Sequence, residues 1–455
     1  MITPSRNLPV AVIGAGPVGM AAAAHLATRG LDFVVLEAGD GVGASIKDWA
    51  HVRLFSPWRY NTDPTARDLL EAIGWTAPNP ETLPTGGDLI EMYLAPLAAH
   101  PAIAPHLRLG VAVTAIARQG LDKVRTAGRE TAPFLLRLST GEELLASEVI
   151  DASGTWRTPN PLGGNGLTAY GEESARADGR VFDGMPDVTG RLRQEFAGKT
   201  VAVVGAGHSA MGTLLALAEL ADEGTQIHWL LRSPNPSRSY GGGDADALPA
   251  RGAIGTRVRA LVESNRITVH TGFSVQEVTA QSLTSSDGRK VDADIIVNST
   301  GARPDHSVAT ELRLDLDPIL GSTRALAPLI DPNHHSCGTV PPHGVDELSQ
   351  PEAGFYVVGA KSYGRAPTFL LATGYEQTRS VVAALAGDWE AARNVALDLP
   401  ETGVCGSSLE VGTDTNDAGC CGPVAARPES RGLATGLITL PVVSTTSAGG
   451  SGCCG

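Results

Sequence analysis

The chain has 455 residues, about three times the length of a typical domain, so its length predicts two or three lobes. Its net charge of −14 argues against a nucleic-acid or anionic-membrane partner. The 42% hydrophobic content is enough for large cores, and no run approaches the roughly 18 consecutive apolar residues of a membrane span. Glycines interrupt the apolar start, where a secretory signal would be continuous. We therefore expect a cytoplasmic globular enzyme.

Near the start of the chain, a strand, a glycine turn and a helix follow one another. Residues 9–13 predict a buried strand, the turn at 14–19 has the pattern Gly-x-Gly-x-x-Gly, and residues 20–28 predict a helix. Such a turn places a dinucleotide pyrophosphate against backbone N–H groups at a helix N-terminus. A second strand, 33–36, ends at Glu37, whose carboxylate can accept hydrogen bonds from ribose hydroxyls. The unit predicts a site for the adenosine half of FAD or NAD.

The same design returns later in the chain. Residues 200–204 predict a strand, the turn at 205–210 reads Gly-Ala-Gly-His-Ser-Ala, and residues 211–221 predict a helix. The next strand, 227–231, ends at Arg232, whose guanidinium suits a 2′-phosphate that an acidic side chain would repel. NADPH is therefore favoured over NADH, with a solvated strand-end charge as the alternative interpretation of Arg232.

Two further strands lead into short turns that contain glycine. Residues 144–151 predict a strand that enters the turn 152–154, and residues 294–298 predict a strand that enters the turn 299–301. The second glycine unit thus lies inside the sequence of the first. Two nested dinucleotide sites are typical of a flavoprotein that a nicotinamide coenzyme reduces.

Together these motifs resemble the flavin-containing monooxygenase and pyridine-nucleotide oxidoreductase group, from residue 9 to about residue 390. The resemblance rests on the glycine units, their strand-end turns, and Tyr356-Val-Val-Gly before a final helix. It implies an α/β fold of two Rossmann-like dinucleotide-binding domains, with FAD and NADPH as cofactors and the NADPH domain inserted in the FAD domain. The implied divisions are an FAD domain at 1–196 and 301–390, an NADPH domain at 197–300, and a Gly-, Ser- and Thr-rich tail with cysteines at 391–455.

The resemblance also implies which residues hold the two cofactors. In the group, the last strand and helix bring backbone N–H groups to the flavin, so Pro367 is expected in the first turn of that helix and the amides of Thr368 and Phe369 near the flavin edge. Trp49 is also consistent with packing alone. The implied cofactor-binding residues are Gly14, Gly16, Pro17, Gly19, Glu37, Gly43, Trp49, Gly154, Gly205, Gly207, His208, Ser209, Ala210, Arg232, Gly301, Gly359, Thr368 and Phe369.

Two motifs of the group are missing or incomplete. Its disulfide reductases carry a cysteine pair soon after the first unit or inside the NADPH domain, but residues 39–50 and 197–300 contain no cysteine. Flavin-to-disulfide transfer within the body is therefore not favoured. Its monooxygenases show Phe-x-Gly-x-x-x-His-x-x-x-Tyr before the second turn. The segment 182–192 keeps the Phe and the Gly, but has Val188 in place of His and Leu192 in place of Tyr.

Three residues are candidates for contact with the substrate or the flavin ring. The segment 55–61 is expected over the flavin, where the group places an Asn, and Asn61 is the nearest match, although Asn before Thr-Asp-Pro is equally good turn chemistry. Residues 331–343 gather three His and a Cys at a spacing that matches no zinc site. His343 and Cys337 are candidates to act on substrate, with simple burial as the alternative for each.

Five of the six cysteines lie after residue 400, and four of these form two Cys-Cys pairs in repeated Gly-Cys-Cys-Gly motifs. Neighbouring thiolates suit a soft metal or metalloid ion, or redox exchange. A low-complexity tail with incidental cysteines is the alternative. Relatives encoded with arsenic-resistance genes look similar over residues 359–377, so As(III) is a candidate ligand. The predicted metal-binding residues are Cys420, Cys421, Cys453 and Cys454.

The sequence and its resemblance predict an FAD-dependent oxidoreductase that NADPH reduces. Its expected activity is that of a flavin monooxygenase on a small-molecule substrate, with a link to thiol-seeking metalloids. One alternative is a reductase that passes electrons through the tail cysteine pairs to a disulfide or a metal ion, as some large thioredoxin reductases do. The other is a non-enzymatic, thiol-rich metal(loid)-binding protein that retains a flavin fold.

Overall fold

The computed structural model describes residues 8–395 except Gly242, Asp244, Ala245, Ala247, residues 335–339, Pro341, Pro342 and Thr368. The strands are β1 (Val10–Ile13), β2 (Phe33–Leu36), β3 (Leu107–Arg108), β4 (Val113–Arg118), β5 (Phe134–Leu138), β6 (Glu143–Ala146), β7 (Val149–Asp151), β8 (Val181–Asp183), β9 (Thr200–Val204), β10 (Gln226–Leu230), β11 (Thr268–His270), β12 (Val275–Val278), β13 (Ser282–Ser285), β14 (Lys290–Asp292), β15 (Ile295–Asn298) and β16 (Phe355–Val357). The α-helices are α1 (Pro17–Thr28), α2 (Ala44–Lys47), α3 (Trp58–Asn61), α4 (Pro64–Ala72), α5 (Gly86–Leu89), α6 (Ala95–Ala98), α7 (Glu172–Ala177), α8 (Arg193–Phe196), α9 (His208–Ala218), α10 (Pro249–Glu263), α11 (Ala327–Ile330), α12 (Val345–Leu348), α13 (Leu371–Leu385) and α14 (Trp389–Arg393).

The first sheet is parallel throughout, in the order β16-β7-β1-β2-β3. Its central strand β1 is buried along its whole length, as expected for a strand that is covered on both faces. Helix α1 packs against α13, and its alanines at 21–24 are fully buried. Small side chains thus allow close approach of the helices. This sheet and its helices are called the first domain below.

The second sheet is also parallel, in the order β11-β10-β9-β15-β8. The chain leaves the first sheet after β7 and returns to it at β16, so this sheet, with helices α9 and α10, forms an inserted domain. The predicted α/β architecture of two Rossmann-like domains, one inside the other, is confirmed. Strand β8 precedes the boundary predicted at residue 197, yet Phe182 pairs with Val297 of β15. The inserted sheet therefore starts earlier in the chain than predicted.

Some predicted elements differ from the structure at their ends. The apolar run 144–151 is two strands: β6 pairs antiparallel with β5 in the small sheet β4-β5-β6, whereas β7 pairs parallel with β1. An apolar run alone does not show where a chain changes sheets. Helices α1 and α9 both begin three residues before their predicted starts, because each begins directly after the second glycine of its turn. Another antiparallel sheet, β12-β13-β14, lies in the inserted domain.

A buried ion cluster connects the small sheet β4-β5-β6 to the segment before β16. Glu352 is 2% exposed and accepts hydrogen bonds from Arg118 Nε and Arg129 Nη2, each at 2.7 Å. Burial acts to raise the pKa of Glu352, but the bonds from both guanidiniums and from the Arg313 N–H outweigh it and hold the pKa below its ordinary value. The Arg118 guanidinium also lies 3.6 Å from the ring centre of Phe134. The carboxylate is therefore ionised and shared between two buried cations.

A pair of histidines joins two neighbouring strands of the inserted domain. His228 in β10 and His270 in β11 are half-buried, and Nδ1 of His228 lies 3.0 Å from Nε2 of His270. Burial lowers the pKa of both imidazoles, and His228 and Arg289 lower the pKa of His270 further, while Asp292 acts in the opposite direction on His228. Because one of the two nitrogens must accept, the contact requires at least one neutral ring.

This pair predicts a loss of stability in mild acid. The folded pKa values lie below the unfolded value of about 6.5, so the stabilisation is fully present above that pH and is lost as the pH falls from it toward the folded pKa values. We expect the urea midpoint of the wild type to fall more steeply between pH 7.5 and 5.5 than that of the double variant His228→Gln, His270→Gln. Parallel slopes for the two proteins would show that the pair does not couple folding to pH.

Candidate functional site

The first glycine turn lies between β1 and α1, at the carboxyl end of the first sheet. Gly14 has a φ of +96°, and a Cβ there would lie 2.8 Å from the backbone oxygen of Ala152, which follows the neighbouring strand β7. A Cβ on Gly19 would collide with the Gly14 oxygen. At Gly16, in contrast, the Cβ position has no contact within 4 Å among the described residues. The turn itself therefore requires glycine at positions 14 and 19, and Gly16 leaves space for a ligand.

The turn between β9 and α9 repeats this arrangement in the inserted domain. Gly205 has a φ of +139°, and a Cβ there would collide with the backbone oxygen of Ser299, which follows β15. The Cβ position of Gly207 is open, as that of Gly16 is, within the part of the chain that the structure describes. Ala210 stands where a third glycine would be and is fully buried. The Trp229 indole N–H donates a hydrogen bond to the Gly205 backbone oxygen at 2.8 Å, which helps to fix the conformation of the turn.

Both helices that follow these turns present uncapped N-termini. Gly16 is the N-cap of α1 and Gly207 the N-cap of α9, and neither supplies a side-chain cap. Pro17 occupies the first position of α1, where a backbone N–H is not needed. The first-turn N–H groups and the positive end of each helix dipole therefore face the open space beside the second glycine. This space and these donors fit a dinucleotide pyrophosphate at each turn.

Glu37 lies at the end of β2, next to the first turn, as predicted. Its carboxylate accepts the Ala15 N–H at 2.6 Å and the Gly39 N–H at 2.7 Å. These two bonds orient the carboxylate at the edge of the turn. Gly43, the N-cap of α2, donates its N–H to the Ala15 oxygen at 2.9 Å and so holds the following loop against the same turn. The arrangement suits a ribose at Glu37.

Trp49 lies where the two domains approach each other. Its ring centre is 6.4 Å from that of Trp156, and Gly86 is in contact range of the Trp49 ring. The Trp156 indole donates to Asp48 Oδ2 at 2.8 Å, and Trp156 packs on Gly184 after β8. These contacts favour the packing interpretation of Trp49, and its role in cofactor binding stays a prediction.

Arg232 follows β10, on the side of the second turn where an adenosine ribose would lie. It is exposed, and its Nη1 donates to the Gly164 oxygen at 3.1 Å. The same loop carries Arg238 in a 3₁₀ turn, also exposed. Sequence reasoning missed Arg238, although a second arginine shortly after the strand-end arginine was a usable signal. Two exposed guanidiniums in one loop suit a dianionic 2′-phosphate.

Replacing Arg232 tests this assignment. We expect Arg232→Ala to raise the KM for NADPH about 10- to 100-fold, because a hydrogen bond to a charged group contributes about 1.5–3 kcal/mol. The KM for NADH, which has no 2′-phosphate, should change little. Steady-state kinetics with both coenzymes measure this ratio, and Arg259→Ala, a change at another exposed arginine of the inserted domain, is the control. Equal changes for both coenzymes would remove Arg232 from the site.

A buried ion pair lies where β7 and β16 end, close to the first turn. Lys361 is 3% exposed, and its Nζ donates to Asp151 Oδ2 at 2.7 Å and to Ser153 Oγ at 3.1 Å. His306 Nε2 lies 3.0 Å from the Gly321 oxygen, so this nitrogen carries the hydrogen and Nδ1 is an acceptor. That Nδ1 is buried with no partner among the described residues. Burial and, next, Lys361 lower the pKa of His306, which keeps the ring neutral.

From the sequence, Lys361 was interpreted as binding an anionic substrate or facing the solvent, and its pairing with Asp151 and Ser153 was not predicted. The cue that was available is a lysine directly after the Gly359-Ala turn at the end of a buried strand, a position where a solvated side chain is not expected. A buried cation with an orphaned acceptor beside it suits a ligand rich in hydroxyl groups.

Gly359, at the start of the 3₁₀ turn after β16, belongs to a second buried network. Its N–H donates to Gln377 Oε1 at 2.8 Å, and the Gln377 Nε2 group lies 3.0 Å from His343 Nε2. Because Oε1 is fixed by a backbone donor, the Gln377 amide must donate to His343. His343 is 2% exposed and its ring lies 5.5 Å from that of Tyr363. The contacts favour a structural role for His343, and its catalytic role stays a prediction.

The segment 55–61 is held by its last residue. Asn61 is 1% exposed; its Nδ2 donates to the backbone oxygens of Ser56 and Pro57, and its Oδ1 accepts from the Ser56 hydroxyl at 2.9 Å. Tyr375 of α13 donates to the Asn61 backbone oxygen at 2.8 Å. Both amide hydrogens are thus used inside the segment, and a bond to a flavin ring would require one of them to move. The structure favours the turn role of Asn61 over the catalytic one.

The remaining predicted residues are placed as follows. Helix α13 begins at Leu371, so the prediction that Pro367 lies in its first turn is wrong; Pro367 is exposed in the preceding loop. Phe369 is half-buried, with its ring 5.3 Å from that of Tyr363. Gly154 and Gly301 lie in the turns after β7 and β15, and Ser209 in the first turn of α9. Thr368, Cys337, Cys420, Cys421, Cys453 and Cys454 lie outside the described residues.

Comparison with known proteins gives the family. A model of the pyridine nucleotide-disulphide oxidoreductase family matches residues 11–336. Indole-3-pyruvate monooxygenase YUCCA1 of Oryza sativa subsp. japonica is 32% identical over 215 residues, 45% of this chain and 44% of that protein. A ferredoxin–NADP reductase of Lactococcus lactis subsp. cremoris is 27% identical over 224 residues, 49% of this chain and 56% of that protein. The matched region spans about half the length of these curated relatives.

Solved structures agree with the fold. A bacillithiol disulfide reductase from Bacillus cereus has a TM-score of 0.62 at 20% identity and covers 84% of this chain and 99% of its own. A variant of the flavin monooxygenase from Stenotrophomonas maltophilia has a TM-score of 0.55 at 20% identity, with coverages of 84% and 98%. At such identities the likeness concerns the fold alone.

The described residues contain neither a cluster of metal ligands nor a membrane-spanning helix. Among residues 8–395, apart from the gaps given above, no group of three or more His, Cys, Asp or Glu side chains is arranged to hold a metal ion. In that same part of the chain, no helix combines the length and the apolar character that crossing a membrane requires. With two matching nucleotide turns and a family model that covers both, the chain belongs to the pyridine nucleotide-disulphide oxidoreductase family and is an enzyme that uses FAD and NADPH.

Proposed function

We propose that the protein is a flavin monooxygenase that uses NADPH to insert one oxygen atom of O₂ into a small-molecule substrate. The observation that carries the proposal is the absence of cysteine: residues 39–50, next to the first turn, and residues 197–300, around the second turn, contain none. Electrons must therefore leave for a diffusible acceptor or for one of the cysteines outside the described residues. The 32% identity to a plant monooxygenase over 215 residues supports the first route.

The two domains divide the binding tasks. The first turn, with Gly16 open and Glu37 at its edge, would hold FAD, and the second turn, with Gly207 open and Arg232 beyond it, would hold NADPH. FAD, when bound, supplies the two-electron carrier between coenzyme and acceptor. The protein supplies backbone donors for both pyrophosphates. It also supplies the buried Lys361–Asp151 pair and the neutral His306 as polar contacts near the first turn.

The overall reaction balances as follows. A substrate S, O₂, NADPH and a proton give the oxygenated product SO, NADP⁺ and water. NADPH provides the electron pair as a hydride, one oxygen atom forms the new bond to the substrate, and the other leaves as water. Without substrate, the same electron pair reduces O₂ to hydrogen peroxide.

Peroxide yield tests the proposal. We expect the purified enzyme to oxidise NADPH slowly in air and release about one peroxide per NADPH, because no substrate is present to take the oxygen atom. A true substrate should raise NADPH consumption and lower the peroxide yield, in screens of small amines, thioethers and α-keto acids. NADPH oxidation that proceeds anaerobically with a disulfide as sole acceptor, at a rate above that in air, would contradict the monooxygenase proposal.

The second candidate function is a reductase that works through the tail. Its support is the family's disulphide chemistry together with the repeated Gly-Cys-Cys-Gly motifs. Serine in place of Cys420, Cys421, Cys453 and Cys454 in the full-length chain would abolish turnover in this reductase and spare a monooxygenase. The same variant tests the proposed As(III) site: equal As(III) binding by the wild type and the variant, measured by equilibrium dialysis, would end the metalloid assignment.

A further inference from the structure

One aromatic side chain of the first domain touches the coenzyme turn of the inserted domain. Phe55 precedes α3, and its ring centre lies 5.2 Å from that of His208, the first residue of α9. The Arg251 guanidinium of α10 lies 5.9 Å from the same Phe55 ring. Arg251 is 5% exposed and is fixed by two bonds of 2.7 Å to Asp246. Phe55 is thus packed between His208, at the start of α9 beside the predicted pyrophosphate site, and Arg251 of α10.

Hydrogen bonds within the first domain fix the backbone around Phe55. Asn61 binds the backbone oxygens of Ser56 and Pro57, the two residues after Phe55, and Tyr375 of α13 binds Asn61 in turn. The Leu54 N–H, on the other side, donates to the Pro84 oxygen at 2.8 Å. The backbone is therefore hydrogen-bonded both before and after Phe55. The residue that contacts His208 thus lies in a segment that hydrogen bonds hold in place.

His208 has a particular place in the second turn. It follows Gly207 directly, and its own N–H belongs to the uncapped first turn of α9 where the pyrophosphate is expected. The space beside Gly207 is open among the described residues, but the Phe55 ring lies against the next side chain. The nicotinamide half of the coenzyme must extend from this turn toward the first domain, because the adenosine half extends toward Arg232.

We propose that the Phe55 ring holds the His208 side chain beside the coenzyme turn in the free enzyme, and that NADPH must separate the two rings when its nicotinamide half extends toward the first domain. This inference rests on the proposed function, since it takes the second turn as the NADPH site. It assigns to the first domain a direct influence on coenzyme affinity. An aromatic contact of this kind is of the size that changes a binding constant about two- to tenfold.

Affinity for NADP⁺ tests the proposal without relying on catalysis. We expect Phe55→Ala to bind NADP⁺ about two- to tenfold more tightly than the wild type in isothermal titration of the oxidised holoenzyme. Phe55→Leu, which keeps the apolar bulk, should fall between them and protects the test against a folding defect. Damage to the structure would weaken binding, so a tighter complex is a result that a merely structural role does not produce.

A double-mutant cycle tests whether Phe55 and His208 affect coenzyme affinity through their mutual contact. His208→Ala should tighten NADP⁺ binding as Phe55→Ala does, and the double variant should show no further gain, because both changes remove the same contact. Tyr60→Ala, in the same segment with its ring against Arg59, is the control and should bind as the wild type does. If both Phe55 variants bind NADP⁺ as tightly as the wild type or more weakly, and NADPH still reduces the flavin, the role of Phe55 is refuted. The proposed function then stands. A wild type that binds no NADP⁺ would overturn both this inference and the proposed function.

Discussion

Gly16→Val should give a folded protein that purifies without FAD. Position 16 has a φ of −76°, which valine adopts freely, and its Cβ direction has no contact within 4 Å among the described residues. The added side chain therefore costs the fold little, but it fills the space where a pyrophosphate would meet the N-terminus of α1. We expect FAD affinity to fall about 100-fold or more, measured by flavin absorbance per protein after gel filtration.

The matching change in the inserted domain should separate the two sites. Gly207→Val, at a φ of −86° and an equally open position, should leave the protein yellow but weaken NADP⁺ binding to a similar extent. Gly212→Val in α9 is the control, because its Cβ position is also open while it lies beyond the first turn of the helix. Retention of FAD by Gly16→Val, or of NADP⁺ affinity by Gly207→Val, would show that the corresponding turn does not hold its dinucleotide.

The second large effect is on stability. Glu352→Gln should lower the free energy of unfolding by about 3–5 kcal/mol, because it leaves two buried guanidiniums, those of Arg118 and Arg129, without their shared carboxylate. The urea midpoint of the protein reports this change. Because the folded pKa of Glu352 is lowered, the wild-type advantage should be present above pH 5 and shrink as the pH falls through the lowered folded value.

An exposed ion pair supplies the control for this substitution. Glu263→Gln removes the same charge from a carboxylate that is more than half exposed and paired with Arg259 one helical turn away. Such solvent-exposed pairs contribute little to stability, so the urea midpoint of this variant should hardly move. If the two glutamine variants unfold at the same urea concentration, the buried cluster does not stabilise the fold as described.

The sequence was most informative where backbone conformation and close packing leave few choices of residue. Gly14 and Gly205 are dictated by a positive φ and by a neighbouring backbone oxygen, and the apolar runs of β1 and β9 by burial on both faces. These are local constraints, so they could be predicted in one pass along the chain. The nesting of the domains followed from the order of the two units alone.

Contacts between distant segments could not be predicted in this way. The Lys361–Asp151 pair joins residues that are 210 positions apart, and the Phe55–His208 contact joins two domains. Asn61 shows the opposite difficulty, since its sequence context fitted both a turn and a catalytic role, and only its buried hydrogen bonds distinguish them. The sequence pattern predicted β6 and β7 as one strand, because an apolar run does not show where a chain passes from one sheet to another.

The central claim is that the two turns hold FAD and NADPH in one electron-transfer unit. Anaerobic mixing of the purified, full-length protein with NADPH tests it most directly, with the flavin absorbance near 450 nm as the signal. We predict a yellow protein with about one FAD per chain that NADPH bleaches completely and NADH bleaches far more slowly. A colourless protein that takes up no FAD on reconstitution, or a flavin that NADPH leaves oxidised, would contradict the account.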